Sequence, residues 1–163
     1  MFSGRQSSET QSARNVLAIA LAGYAFFYIE TFLVGYSAAI AYPAWYAEFV
    51  ARHPTLGYMI WDLFTVVPVV LLSAAIVGAL LGRIINRNFF IAGLAATVVA
   101  VLIAVVSTAS DLGYVTAIRN HLIPAHWSNL PSHLAVWLAL AFATMYFGRK
   151  SVKRQEDDAE TPA

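Results

Sequence analysis

Four long apolar stretches, separated by short polar segments, dominate the pattern of this chain. They cover residues 16–42, 57–81, 89–109 and 130–147. A helix needs about 20 apolar residues to cross a hydrocarbon core about 30 Å thick, and each stretch is close to that length or longer. The pattern therefore predicts an all-α integral membrane protein with four transmembrane helices.

The basic residues fall mainly in alternate segments between these spans. Of the ten lysine and arginine residues, only Arg52 and Arg119 lie in the first and third connecting segments. Since basic residues are enriched in cytoplasmic segments, this predicts both termini in the cytoplasm and a multi-pass protein of a bacterial inner membrane. The remaining eight are Arg5, Arg14, Arg83, Arg87, Arg149, Lys150, Lys153 and Arg154.

Each predicted outer loop contains the pattern of a short interfacial helix. Residues 43–50 begin with proline and place Trp45, Tyr46 and Phe49 at helical spacing, and 113–122 precede Pro124. We expect the aromatic rings to lie at headgroup depth. Asn129 is predicted to cap the last span.

The ends of the chain are expected to lie outside the four-helix membrane domain, 14–148. Residues 1–13, rich in serine and glutamine, predict a flexible cytoplasmic N-terminus. Residues 149–163 predict a charged cytoplasmic tail whose basic start contacts lipid headgroups. Its acidic end, expected in water, comprises Glu156, Asp157, Asp158 and Glu160.

Composition agrees with a membrane protein and excludes several functions. The chain is 60% hydrophobic and 12% charged, whereas a soluble domain has about 25% charged residues. The absence of cysteine excludes disulfides and thiolate chemistry. No concentrated basic face predicts nucleic-acid binding, and no motif predicts a cofactor.

Small residues recur every four positions in three of the spans and predict close helix packing. Such rows let membrane helices approach closely, either within one bundle or between subunits, and both interpretations stay open. Pro68 predicts a bend in the second span. The rows are Ala74, Gly78 and Gly82; Ala92, Ala96, Ala100 and Ala104; and Ala135, Ala139 and Ala143.

Two carboxylates, Glu30 and Asp62, lie within predicted spans. Placed near the midpoint of its span, about 18 Å below the outer end, Glu30 should face the bundle and be neutral, paired or hydrated. Asp62 should lie about 8 Å down, too far in depth for direct contact with Glu30. Predicted partners of Glu30 are Tyr24, Tyr28, Thr65, Thr97, Thr144 or a ligand cation.

Glu30 also supports a transport hypothesis. A lone titratable carboxylate in the first of four helices, flanked by Tyr24, Tyr28 and Tyr36, resembles the small multidrug resistance transporters, whose glutamate exchanges protons for an aromatic cation. The resemblance covers one residue and the helix count. It implies a proton-coupled small-molecule transporter using Glu30.

The four histidines all fall on the predicted outer side. Neutral imidazoles bind transition metals, so His121, His126 and His133, with Asp111, form a hypothetical outward metal site. Their spacing places no two imidazoles on one helical face, and bonds to headgroups or loop carbonyls are the alternative.

The combined pattern favours a small non-enzymatic accessory or assembly subunit of a larger inner-membrane complex. Its expected partners are membrane lipids and either other integral membrane subunits or further copies of itself. Proton-coupled transport and outward metal handling remain the alternatives.

Overall fold

The computed structural model describes residues 3–40, 43–124 and 126–160, and it is helical almost throughout. The helices are α1 (Ser3–Ala38), α2 (Ala44–Arg52), α3 (Pro54–Ile84), α4 (Phe89–Leu112), α5 (Tyr114–Leu122) and α6 (Leu130–Glu160), with a 3₁₀ turn at Trp127–Asn129. Segments of α1, α3 and α4, and the segment from the 3₁₀ turn through α6, are each long and apolar enough to cross a membrane. The prediction of an all-helical fold with four helices able to span a membrane is therefore confirmed.

The four long helices form a bundle in which α3 and α6 share the most extensive contact. Helix α4 packs on α6 and α1, and α1 also packs on α3. Among the described residues the backbones of α1 and α6 do not approach each other closely, and those of α3 and α4 do so very little. These two pairs are therefore the diagonals of the bundle, whose order around its axis is α1, α3, α6, α4.

The two ends of the bundle differ in what they carry. At one end, the loop from Ile85 to Asn88 borders a cleft with Gln11 and Asn15 of α1. At the other end lie α2, which packs on α3, and α5, which packs on α4. Between α4 and α5, Gly113 adopts a φ of 76°, a left-handed conformation that glycine tolerates best.

Glycines allow the helix backbones to approach closely. A Cβ atom built on Gly93 of α4 would lie 2.6 Å from the Cα atom of Ala141 and 2.7 Å from the carbonyl oxygen of Leu140, both in α6. Gly78 and Gly82 of α3 meet α6 in the same way. In lipid, where apolar burial contributes little, such backbone contact is what holds helices together.

The small-residue rows of α3 and α4 face the inside of this bundle. Ala74, Ala92, Ala96, Ala100 and Ala104 are all buried. The row of α6 differs: Ala139 is buried, but all three of its alanines border a groove that opens outward between α3 and α6. This row serves packing within the molecule and also shapes its surface.

The ends of α1 differ from the sequence prediction. The helix begins at Ser3, so it includes residues 3–13, which were predicted as a flexible N-terminus. An established helix extends at little cost, because only its nucleation is unfavourable. At its other end α1 stops at Ala38, short of the predicted residue 42. The acidic residues Asp157, Asp158 and Glu160 lie outside the described side chains.

The first short helix also differs from expectation in one side chain. Tyr46 of α2 does not project toward a membrane surface: it is buried, donates a hydrogen bond of 2.6 Å to the carbonyl oxygen of Gly57, and packs on Trp61 at 5.5 Å between ring centroids. Trp45 is exposed, as are Glu48 and Arg52, which form an ion pair at 3.6 Å. Tyr46 therefore fastens α2 to α3.

Candidate functional site

A partly enclosed cavity of about 170 Å³ lies between α1, α4, α5 and α6, at the end of the bundle that carries the short helices. Its polar lining comes from Glu30 and Thr31 of α1, His121 of α5 and His133 of α6. The rest of its lining is apolar and consists of Phe26, Phe27, Ala100, Val101, Ala104, Val136 and Trp137. A cavity that combines apolar walls with a few convergent polar groups is the usual form of a small-molecule site.

Helical spacing and the length of α1 bring Glu30 to this cavity. Phe26 and Glu30 are four residues apart, as are Phe27 and Thr31, so the two pairs share one side of the helix. Because α1 ends at Ala38, Glu30 lies eight residues, or about 12 Å, from that end. This distance is shorter than the value of about 18 Å expected from a span that continues to residue 42, and it brings Glu30 level with His121 at the cavity.

The aromatic residues expected beside Glu30 face the opposite way. Tyr24 and Tyr28 are each more than half exposed, and their rings pack on each other with centroids 4.5 Å apart. Tyr36 is exposed as well. The face of α1 that carries these tyrosines lies on the outside of the bundle and does not line the cavity.

The hydroxyl groups predicted as partners of Glu30 are also engaged elsewhere. Thr65, Thr97 and Thr144 each donate a hydrogen bond to the carbonyl oxygen four residues earlier in their own helix, at 2.6, 3.2 and 2.7 Å. Such local bonds are the usual way for threonine to satisfy its hydroxyl group inside an apolar helix.

Each of the two histidines of the cavity has one hydrogen-bond contact through Nε2. Nε2 of His133 lies 3.1 Å from the carbonyl oxygen of Leu122, which only accepts, so Nε2 carries the proton. Nε2 of His121 lies 3.4 Å from Oγ1 of Thr108, whose own hydroxyl group donates to the carbonyl oxygen of Ala104 at 2.9 Å. The hydroxyl group of Thr108 can donate or accept, so this contact does not fix which ring nitrogen of His121 carries the proton.

Burial lowers the pKa of His121, and the neighbouring His133 lowers it further. Removing an imidazolium from water is unfavourable, and a second imidazole that gains charge nearby repels it. Both effects favour the neutral form of the His121 ring.

The predicted metal ligands do not come together. His121 and His133 share the cavity, but His126 lies in a separate cleft beside Tyr58 and Trp127, and Asp111 is exposed at the end of α4. Among residues 3–40, 43–124 and 126–160, no three histidine or acidic side chains are close enough to hold a metal ion. The two remaining imidazoles would be an incomplete ligand set.

Asp62 has a structural role at the start of α6. The residue is 8% exposed, and its Oδ2 accepts a hydrogen bond of 2.8 Å from the backbone N–H of Ser132 in the first turn of that helix. The first N–H groups of a helix lack partners within it and carry partial positive charge, which a carboxylate satisfies. Asn129, predicted as the cap, instead accepts from the hydroxyl group of Ser128 through its side-chain oxygen at 3.1 Å.

A second surface feature is the open groove between α3 and α6. Its volume is about 480 Å³, and its alanine row lies below a border of larger side chains. On α6 it extends over 13 residues from Leu134 to Tyr146, or about 18 Å. The border consists of Leu71, Leu134, Leu138, Phe142 and Tyr146.

Sequence reasoning identified Glu30, His121 and His133 but missed their shared cavity. It also missed Thr31 and Trp137, which line the same space. Their positions in the sequence indicated both residues in part. Trp137 follows His133 by four residues, on the same side of the helix, and Thr31 is adjacent to Glu30. Comparisons with protein-family models, with curated proteins and with solved structures find no match to this chain.

Proposed function

We propose that the protein is a small non-enzymatic subunit of a larger inner-membrane complex and that it docks through the groove between α3 and α6. The occupant of the groove is a transmembrane helix of a different integral membrane protein. The observation that carries this proposal is the alanine row of α6 at the bottom of an open apolar groove. Small residues at a lipid-facing surface permit the close backbone approach on which helix association in membranes depends.

The dimensions of the groove fit such an occupant. Its length of about 18 Å corresponds to more than half of a hydrocarbon core about 30 Å thick. Its border of leucine and aromatic side chains supplies dispersion contacts on both sides of an inserted helix. Glu48 and Arg52 on α2 are exposed and add a polar contact beyond the membrane.

We propose the following orientation for this subunit. Both termini and the loop between α3 and α4 face the cytoplasm of a bacterial cell, because eight of the ten basic residues lie in these segments. Helices α2 and α5 lie at the outer membrane surface. The cysteine-free chain allows a direct test by single-cysteine labelling: Asn86→Cys should be protected from an impermeant thiol reagent in intact cells, and Asn120→Cys should react.

A paired substitution tests the docking proposal. Leu138 on the border of the groove is 43% exposed, so Leu138→Trp places bulk in the groove without filling the core. Leu102→Trp is the matched control on the exposed face of α4, at 58% exposure. After mild-detergent purification, the original chain and the control should retain the same stoichiometric partner, and Leu138→Trp should lose it.

Three results would contradict this proposal. A chain that purifies without any stoichiometric partner is not a subunit of a stable complex. Retention of the partner by Leu138→Trp would place the contact elsewhere, and a complex containing only copies of this chain would replace the accessory role with self-assembly.

Proton-coupled transport through Glu30 is the second candidate, because this carboxylate lines a cavity rather than facing lipid. Its test is amine uptake into proteoliposomes driven by a pH gradient. Uptake that disappears in Glu30→Gln supports this function, and unchanged uptake in that variant excludes it.

A further inference from the structure

A cleft of about 640 Å³ lies between α1 and α4, at the end of the bundle opposite the cavity that contains Glu30. The loop on its border joins α3 to α4, and both helices are long and apolar enough to cross a membrane. The cleft therefore lies at the depth of lipid headgroups. It shares no lining residue with the groove between α3 and α6, so a ligand in the cleft does not depend on a partner in the groove.

The polar side chains of the cleft lie at its membrane-surface end. They belong to Gln11, Ser12, Asn15, Asn86, Arg87 and Asn88. Among the described residues that line the cleft there is no aspartate or glutamate, so the positive charge of Arg87 has no carboxylate partner within it. A ligand that complements this lining carries a negative charge.

The lining also offers uncharged hydrogen-bond donors on both sides of the cleft. On α1, Gln11 donates from Nε2 to Oδ1 of Asn15 at 3.1 Å, a bond that does not use the side-chain N–H groups of Asn15. On the other side, Asn88 makes no side-chain hydrogen bond to the start of α4, and the first turn of α4 contains no acidic residue. Because the first N–H groups of a helix lack partners within it and carry partial positive charge, they favour an anion at this end of the cleft.

The lining becomes apolar toward the middle of the membrane. Ile19 lies about one helical turn, or about 6 Å, beyond Asn15 on α1, and Ala95 lies seven residues, or about 10 Å, beyond Asn88 on α4. The apolar lining consists of Ile19, Ile85, Ile91, Ala92 and Ala95. A complementary ligand therefore joins an anionic polar group to a hydrocarbon chain that extends into the membrane.

We propose that this cleft is a binding site for an anionic glycerophospholipid. The guanidinium group of Arg87 donates to the phosphate oxygens, and an acyl chain lies along Ile19, Ile91 and Ala95. A zwitterionic phospholipid has the same phosphate but adds an ammonium group, for which the described lining has no carboxylate. A soluble phosphate ester has the charge but leaves the apolar lining without a contact. The cleft therefore favours the anionic lipid over both.

The first test titrates the full chain in mild detergent with dioleoylphosphatidylglycerol and counts the bound lipids by native mass spectrometry. We expect one tightly bound lipid per chain. Dioleoylphosphatidylcholine, which has the same acyl chains and no net charge, should bind about tenfold more weakly. Equal affinity for the two lipids would overturn the proposal, because it would show that the cleft does not recognise the charge.

A competition experiment distinguishes a lipid from a soluble phosphate. The competitor is sn-glycerol 3-phosphate, which carries the phosphate group without the acyl chains. It should not displace the bound phosphatidylglycerol at about a hundredfold molar excess, because each buried methylene group of the lipid adds to its affinity. Displacement would assign the cleft to a soluble phosphate ester and overturn the lipid as its ligand.

Arg87→Gln tests the charged end of the cleft. We expect it to weaken phosphatidylglycerol binding about tenfold and to leave phosphatidylcholine binding within about twofold, whereas a general loss of structure would weaken both. The matched control is Arg83→Gln, since Arg83 is an exposed arginine in the last turn of α3 that does not line the cleft. Unchanged phosphatidylglycerol affinity in Arg87→Gln, or an equal loss in both variants, would overturn the site.

A second variant tests the apolar end. Ala95→Phe fills space between α1 and α4, so it should weaken the binding of both phospholipids about tenfold. Val98→Phe is its control, because Val98 lies on the same helix outside the cleft and is 41% exposed. A melting profile like that of the original chain shows that each variant is folded. Full phosphatidylglycerol affinity in a folded Ala95→Phe protein would place the lipid elsewhere on the protein and refute this site.

Discussion

Replacing Asp62 should weaken the attachment of α6 to α3 by a predictable amount. Asp62→Ala removes a 2.8 Å hydrogen bond between a buried carboxylate and the backbone N–H of Ser132, and it leaves that N–H without this partner. A hydrogen bond to a charged group contributes about 1.5–3 kcal/mol. Its position at a helix N-terminus adds about 0.3–1 kcal/mol. We expect Asp62→Ala to lower the free energy of unfolding by about 2–4 kcal/mol.

Asp62→Asn separates the contribution of charge from that of the hydrogen bond. Asparagine keeps a side-chain oxygen that accepts from Ser132 but has no charge, so we expect a smaller loss of about 1 kcal/mol. Both variants are measured by reversible denaturant unfolding in mixed detergent micelles, followed by circular dichroism.

The control is Glu48→Ala, which removes an exposed carboxylate from an ion pair on α2. Exposed pairs contribute little, because water and salt screen them, and this variant should unfold like the original chain. An Asp62→Ala protein as stable as Glu48→Ala would refute the capping role. Equal destabilisation by alanine and asparagine would show that the charge, rather than the hydrogen bond, holds α6.

Three further predictions concern helix packing, the attachment of α2 and pH. Gly93→Ala should destabilise the protein by about 1–3 kcal/mol, because its Cβ atom would press on the backbone of α6. Its control is Gly35→Ala, which should be neutral or stabilising in the same unfolding assay, because no atom lies within 4 Å of that Cβ position. Tyr46→Phe should cost about 1 kcal/mol through loss of its buried hydrogen bond, with faster amide hydrogen exchange confined to α2 and the start of α3. Burial and the nearby His133 lower the pKa of His121 in the folded protein, so the unfolded chain binds more protons. The free energy of unfolding should therefore fall as the pH decreases below about 6.5. The melting temperature of His121→Asn should depend less on pH than that of the original chain.

The close approach of α4 to α6 shows how far local sequence predicted the packing. The four-residue spacing of alanine and glycine identified the faces suited to helix contact, because spacing on one helix is a local property. It did not identify which faces would meet. In the structure the row of α4 is buried, whereas the row of α6 borders an open groove.

Glu30 illustrates a different limit of the sequence. The cost of a carboxylate in hydrocarbon was sufficient to predict that it faces away from lipid. Its distance from the end of the helix is shorter than expected, because α1 ends at Ala38 rather than at residue 42. The predicted threonine partners are not among the described residues that line its cavity, and each of their hydroxyl groups donates within its own helix.

The sequence by itself determined that this chain has four long helices and that each is apolar enough to cross a membrane. Hydrocarbon thickness fixes how many consecutive apolar residues a span requires, and this count needs no knowledge of neighbours. Only the tertiary structure decided that His121 and His133 meet Glu30 in one cavity and that Asp62 caps α6. These contacts join residues of different helices, up to 103 positions apart along the chain, and depend on the rotation and depth at which each helix packs.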